Sequence, residues 1–137
     1  MTPIGRSLEL QALLMERLAA ILAGQGMDPV GGDVPVLDHV PHSPPRQHVR
    51  LDEFQYRPVS DARRKRWRHR FAVHVFDVKA KGRARAARLH EAIYAALAEW
   101  QPHGEATALD VLEGYSAGGG DAHSQHEIIR FETIIGE

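Results

Sequence analysis

The segment Arg66–Val78 constrains this chain more than any other. Over thirteen residues it alternates without a break: Trp67, His69, Phe71, Val73 and Val75 fall on one side, Arg68, Arg70, Ala72, His74 and Phe76 on the other. Alternation of this kind fits a strand, whose side chains point to opposite faces with a period of two, and does not fit a helix. A long strand with one apolar face needs neighbours beside it and a layer over that face. The rest of the sequence supplies both.

Two segments carry the three- and four-residue spacing of amphipathic helices. Leu8–Ala23 places Leu10, Leu14, Leu18, Ile21 and Leu22 on one stripe, with Ser7 as its expected N-cap and Gly24 and Gly26 as its end. Arg83–Gln101 does the same with Ala86, Leu89, Ile93, Ala96, Leu97 and Trp100, and Pro102 is the expected stop. The first turn of that second helix holds Arg83, Arg85 and Arg88. Cations there oppose the helix dipole, so the sequence needs them for another purpose.

Residues 24–46 are a Gly- and Pro-rich linker in which only Val34–Val40 reads as extended, at a sheet edge given its flanking prolines. Gln47–Tyr56 reads as a strand, with Val49, Leu51 and Glu53 set against Arg50, Asp52 and Phe54. Arg57–Lys65 is a polar connection to the main strand, longer than the two to five residues usual in a hairpin. Lys79–Gly82 breaks the main strand, Thr107–Tyr115 reads as a strand, and Ser116–Ala122 as a flexible turn. Gln125–Ile135 is the last strand, with Ile129, Phe131 and Ile135 on one face and Ile128, Arg130, Glu132 and Ile134 on the other. The expected fold is a single α+β domain over residues 1–137, of order α-β-β-β-α-β-β. Two helices pack on one face of a mainly antiparallel, four- to five-stranded sheet. Apolar residues on both faces of the last strand imply a second cover, which a neighbouring copy can provide.

Charge is laid out unevenly. The formal net charge is -1, yet Arg57 to Arg88 holds twelve of the 17 Lys and Arg residues and two acids, Asp61 and Asp77. The tail from Leu89 onward holds nine acids and one base, Arg130. Such polarity suits a positive surface on one copy meeting a negative surface on the next, or a basic patch gripping phosphates. In the first reading the positive side is drawn from Arg57, Arg63, Arg64, Lys65, Arg66 and Arg68. The negative side is drawn from Glu105, Asp110, Glu113 and Asp121. An assembly of this kind weakens as salt is raised.

Other chemistries find less support. The chain has no cysteine, so disulfides, a thiolate nucleophile and a thiolate zinc site are excluded, and a reducing cytosol is the expected folding compartment. Nine histidines are present, but His39 with His42 and His123 with His126 match no metal signature, and His69 and His74 point to opposite faces of one strand. No metal and no cofactor are expected. Ser43, Ser60, Ser116 and Ser124 lie in loops, none in a nucleophile elbow. Gly118–Gly120 leads to no helix or lysine and is no phosphate cradle. An enzyme is not expected. There is no apolar run long enough to span a membrane and no leader-like start, so no membrane partner is expected.

The ordered segments ELQALLMERLAAIL, HVRLDEFQY, RFAVHVFDVKAKGRARAARLHEAIYAAL and HEIIRFETII, the last with Arg130 and Phe131, resemble the tail-completion or tail-terminator family of tailed phages and gene transfer agents. The strand-then-helix unit is the most specific piece. The resemblance covers roughly Leu8 to Ile135. It implies a structural virion protein with no catalytic residues. Such a protein forms a ring, usually a hexamer, on the head-proximal end of the tail tube, ends tube growth and meets the head connector, with DNA passing through the lumen. The implied partners are further copies, the tube protein, the connector or stopper, and DNA in transit. Two rivals stand beside it: another head–tail joint protein, adaptor or stopper, and a nucleic-acid-binding module using the basic 57–88 segment.

Overall fold

A computed structural model of the chain describes residues 1–26, 31–59, 63–78, 82–118 and 124–137. The element order is α1 (Pro3–Leu22), β1 (Val36–Leu37), β2 (Gln47–Pro58), β3 (Arg66–Val78), α2 (Ala84–Leu97), β4 (Asp110–Gly118) and β5 (Ser124–Gly136). The strands form one sheet in the order β1-β2-β3-β5-β4. The pair β1–β2 is parallel and the other three pairs are antiparallel. The α+β class and the order of elements are those the periodicity predicts.

Both helices lie on the face of the sheet that carries Val49, Leu51, Phe71, Val73, Val75, Ile129, Phe131 and Ile135, all buried. Against it α1 contributes Leu10, Leu14, Leu18 and Leu22, and α2 contributes Ala86, Leu89, Ile93, Ala96 and Leu97. Each buried Leu, Ile or Phe contributes roughly 1.5–3 kcal/mol relative to exposure. Arg17 ties the helices together: its Nε donates to the Ala96 carbonyl at 2.8 Å while its guanidinium sits 4.8 Å from the Trp100 ring centroid.

The structure departs from the sequence reading at element ends. Helix α1 starts at Pro3, not after Ser7, because Thr2 Oγ1 caps it by accepting from Gly5 N–H at 3.1 Å. Proline is well placed in the first helical turn, where its missing N–H has no intrahelical partner to lose. Ser7 is buried inside the helix. Helix α2 stops at Leu97 rather than Gln101, since Ala98 turns extended (ψ 126°) and Glu99 takes a left-handed φ of 64°. Strand β2 runs through Pro58, so Arg57 is a strand residue. Strand β4 begins at Asp110 and reaches Gly118, while Ala106 forms only an isolated bridge to Ile135. The rest of the expected glycine turn lies outside the described residues.

One departure relocates a side chain that matters. Between Asp52 and Gln55 the β2–β3 register shifts, and Glu53 adopts φ 58°. This bulge exchanges the expected faces. Phe54 turns inward and stacks on Phe71 (5.7 Å), and Glu53 turns to the face without helices. The second cover expected over β5 is also supplied in part by the chain itself. Ile128 is 5% exposed, between its register partners His74 and Tyr115.

Candidate assembly interface

The sheet brings together charges that the sequence keeps apart. Strand β3, the core of the basic segment, pairs along its whole length with β5 from the acidic tail, which pairs in turn with β4. Arg68 and Arg70 both donate to Glu132, whose side chain is 10% exposed. Arg64 NH2 lies 3.7 Å from Glu105. On the helix side, Arg85 Nε is 3.2 Å and Arg46 Nε 3.8 Å from fully buried Asp77. Arg83 NH2 and His90 Nδ1 reach fully buried Glu127 at 3.6 and 2.9 Å. A buried carboxylate needs such partners. This explains two of the three cations at the start of α2: Arg83 and Arg85 meet carboxylates of the sheet.

On the open face, Arg130 is the hub. Its guanidinium donates to Glu113 (2.7 Å), the Tyr115 hydroxyl (2.9 Å) and Glu53 (3.0 Å). These bonds raise its pKa further, Tyr115 contributing most and then Glu53 and Glu113. Partial burial pulls the Glu53 carboxyl up, but Arg130 and His74 outweigh it and hold it below its ordinary value. The chain continues through His74, whose Nε2 is 2.9 Å from Glu53 and whose Nδ1 is 2.8 Å from His126 Nε2. Both contacts are satisfied when neutral His74 donates to Glu53 and accepts from His126. Burial lowers the pKa of His74, which Glu53 only partly offsets, and burial likewise lowers those of His126 and His48. Phe76 lies between the His48 and His126 rings at 4.8 and 4.3 Å, with Arg50 against it at 5.0 Å. From sequence, Glu53 and Tyr115 carry no site role, and His74 and His126 are weighed only as metal ligands and set aside. A bulge at a glutamate leaves no glycine to mark it. Arg130 did carry a signal, as the one base in an acidic tail.

The expected positive set clusters toward one end and one edge. Arg63, Arg64 and Lys65 are exposed and, with Pro58, Val59, Arg66 and Trp67, line a cleft of about 420 Å³. Trp67 Nε1 donates to Glu137 at 3.1 Å, and Glu137 N–H to the Lys65 carbonyl at 3.1 Å. Exposed Arg57 is the register partner of Arg68. In the expected negative set, Glu105 and Glu113 have the partners given above, and exposed Asp110 stands opposite Glu132 at the β4 edge. Asp121 lies outside the described residues. Among the described residues, no group of three or more His, Asp or Glu side chains is placed to hold a metal ion.

A family model described as Tail completion protein gp17 matches residues 11–136. Among solved structures, the chain is similar to one described as "Virion of native gene transfer agent (GTA) particle", with a TM-score of 0.72 and 21% identity, over 93% of this chain and 94% of that one. No curated protein matches it.

Proposed function

The chain belongs to the tail completion protein family, and from that membership we propose that it is a structural virion protein. It forms a ring on the head-proximal end of a phage-like tail tube, ends tube polymerisation and joins the tail to the head connector, with DNA passing through the lumen. Its partners are other copies of itself, the tube protein and a connector or stopper protein, and its role is architectural rather than catalytic. The observation that carries this reading is the extent of the family match, which takes in all five strands, all of α2 and most of α1. The sheet supports it: with four alternating strands it has two different edges, which suits a head-to-tail contact that closes into a ring.

The test is the solution mass of the purified protein by light scattering, at low and moderate salt, with and without tube protein. A closed oligomer, or one copy that becomes a ring on tube ends, is the expected result. A single copy that ignores tube protein overturns it. The exposed Arg63, Arg64 and Lys65 beside Trp67 favour a second reading, a nucleic-acid-binding module. Tight binding of duplex DNA by a single copy, falling steeply with salt, would establish that reading instead.

A further inference from the structure

The two edges of the sheet differ in a way that makes them fit each other. One edge is β2 beyond Arg50, because β1 pairs only with Val49 and Arg50. The other is β4, the terminal strand. Strands β2, β3, β5 and β4 alternate in direction, so the two edges run antiparallel. A copy rotated about an axis roughly along the strands therefore presents its β2 edge antiparallel to the β4 edge of its neighbour. That contact is heterologous and can close.

The strand register sets heights that can be compared between the two edges. Gln55, Arg70, Glu132 and Asp110 form one row across the sheet. Arg57 is two residues above that row, about 7 Å, an offset that strand tilt in a closed ring supplies. On the open face each edge carries a pair of like charges as register neighbours: Arg57 with Arg68 at β2, and Asp110 with Glu132 at β4. Arg68 and Glu132 are paired with each other inside one copy, so Arg57 and Asp110 are the outermost charges of their rows, and an opposite charge from the next copy complements each. On the helix side, Tyr56 is 40% exposed at the β2 edge, edge-on to Trp67 at 5.6 Å. Within one residue of its height, the β4 edge has a cleft of about 400 Å³ lined by Tyr94, Ala98, Leu109 and Val111, with Glu99 and Asp110 at it as well.

We propose that copies of this chain join β2 edge to β4 edge, with Tyr56 of one copy entering the Tyr94–Leu109 cleft of the next and Arg57 set against Asp110. The occupant of each edge is a second copy of the same chain. This rests on the ring reading above and names the surface that makes the ring. The bulges in β2 and β4 restrict the register in which the edges can approach, which favours one fixed contact over indiscriminate strand pairing.

The test is charge exchange between separate copies, read as mass by light scattering. Arg57→Asp alone and Asp110→Arg alone each replace an attraction by a repulsion at every contact, and the losses multiply around a ring, so each variant loses the ring at concentrations where the unaltered chain just forms it. Mixed in equal amounts, they can alternate, and every contact again joins opposite charges, so the mixture recovers the ring. Both positions are exposed, and recovery in the mixture also shows that both variants are folded. If the unaltered chain forms rings and either variant forms them at the same low concentration, the edge contact is wrong while the ring reading stands. If both variants fail and their mixture also fails, Arg57 and Asp110 do not face each other and the proposal falls. If the unaltered chain forms no ring even with tube protein, the ring reading fails and takes this contact with it.

Discussion

His69 shows how far a single residue can be read from sequence. Alternation along β3 places it with Trp67, Phe71 and Val73 on the covered face, and there it is, 1% exposed. The alternation does not reveal that, among the described residues, neither ring nitrogen finds a hydrogen-bond partner. Burial without compensation pushes its pKa down to about 4. The unfolded chain ionises the same ring near 6.5. Stability from keeping His69 neutral is therefore complete above about pH 6.5. It is lost as pH falls toward 4, because the unfolded state binds the proton first. The full loss is up to about 3 kcal/mol. His69→Leu should remove this share: in urea titrations at pH 7 and pH 4.5 the unaltered chain loses about 2–3 kcal/mol more than the variant. Equal losses would show that His69 is not held neutral by the core. Glu53 is the opposite case. Its place opposite His74 and Arg130 depends on one left-handed backbone angle, and plain alternation assigns it to the wrong face.

At the scale of elements, type and order were legible because both helices and the long strand β3 have a strong period, while the two-residue β1 was legible only as an extended piece between prolines. The ends were less so. Pro3 and Gly5 disguise the first turn of α1, and nothing before Pro102 announces the left-handed Glu99 that ends α2 early. The purpose of the first-turn cations in α2 was legible only as a conflict with the helix dipole. The fold resolves it at Asp77 and Glu127, which alternation puts on the covered face but cannot pair. Arg85 and Arg88 therefore separate two effects within one helical turn. Arg85→Leu takes a cation from beside a fully buried carboxylate and should destabilise the chain by about 1–3 kcal/mol, lowering the melting temperature by several degrees. Arg88 is exposed and lies in the same unfavourable dipole field. Arg88→Leu should change stability by no more than about 0.5 kcal/mol, in the stabilising direction. Equal effects in thermal melts would mean that Asp77 is held without help from Arg85, by Arg46 and by Gln47, whose Nε2 donates to it at 3.4 Å.

For the whole molecule, the sequence shows a basic block and an acidic block, and the simplest inference is a subunit with two oppositely charged patches. Topology alters that inference. Because β5 from the acidic tail inserts between β3 and β4, Glu132 takes Arg68 and Arg70, and Arg130 takes Glu53 and Glu113. Much of the polarity is spent inside one copy, and exposed Arg57 and Asp110 remain at the two edges, with exposed Arg63, Arg64 and Lys65 just before β3. An exposed ion pair contributes about 0.2–1 kcal/mol and is screened by salt. Burying an aromatic such as Tyr56 contributes about 1.5–3 kcal/mol and is not screened. A ring joined through these edges should therefore respond to salt moderately. Going from about 0.1 M to 1 M should weaken each contact by less than tenfold, while Tyr56→Ala weakens it about tenfold or more at either salt. Light-scattering mass followed down a dilution series at both salts measures this. A ring that dissolves entirely at high salt, with Tyr56→Ala indistinguishable from the unaltered chain, would mean that the contact is held by the exposed cations at Arg63, Arg64 and Lys65 and not by the sheet edges.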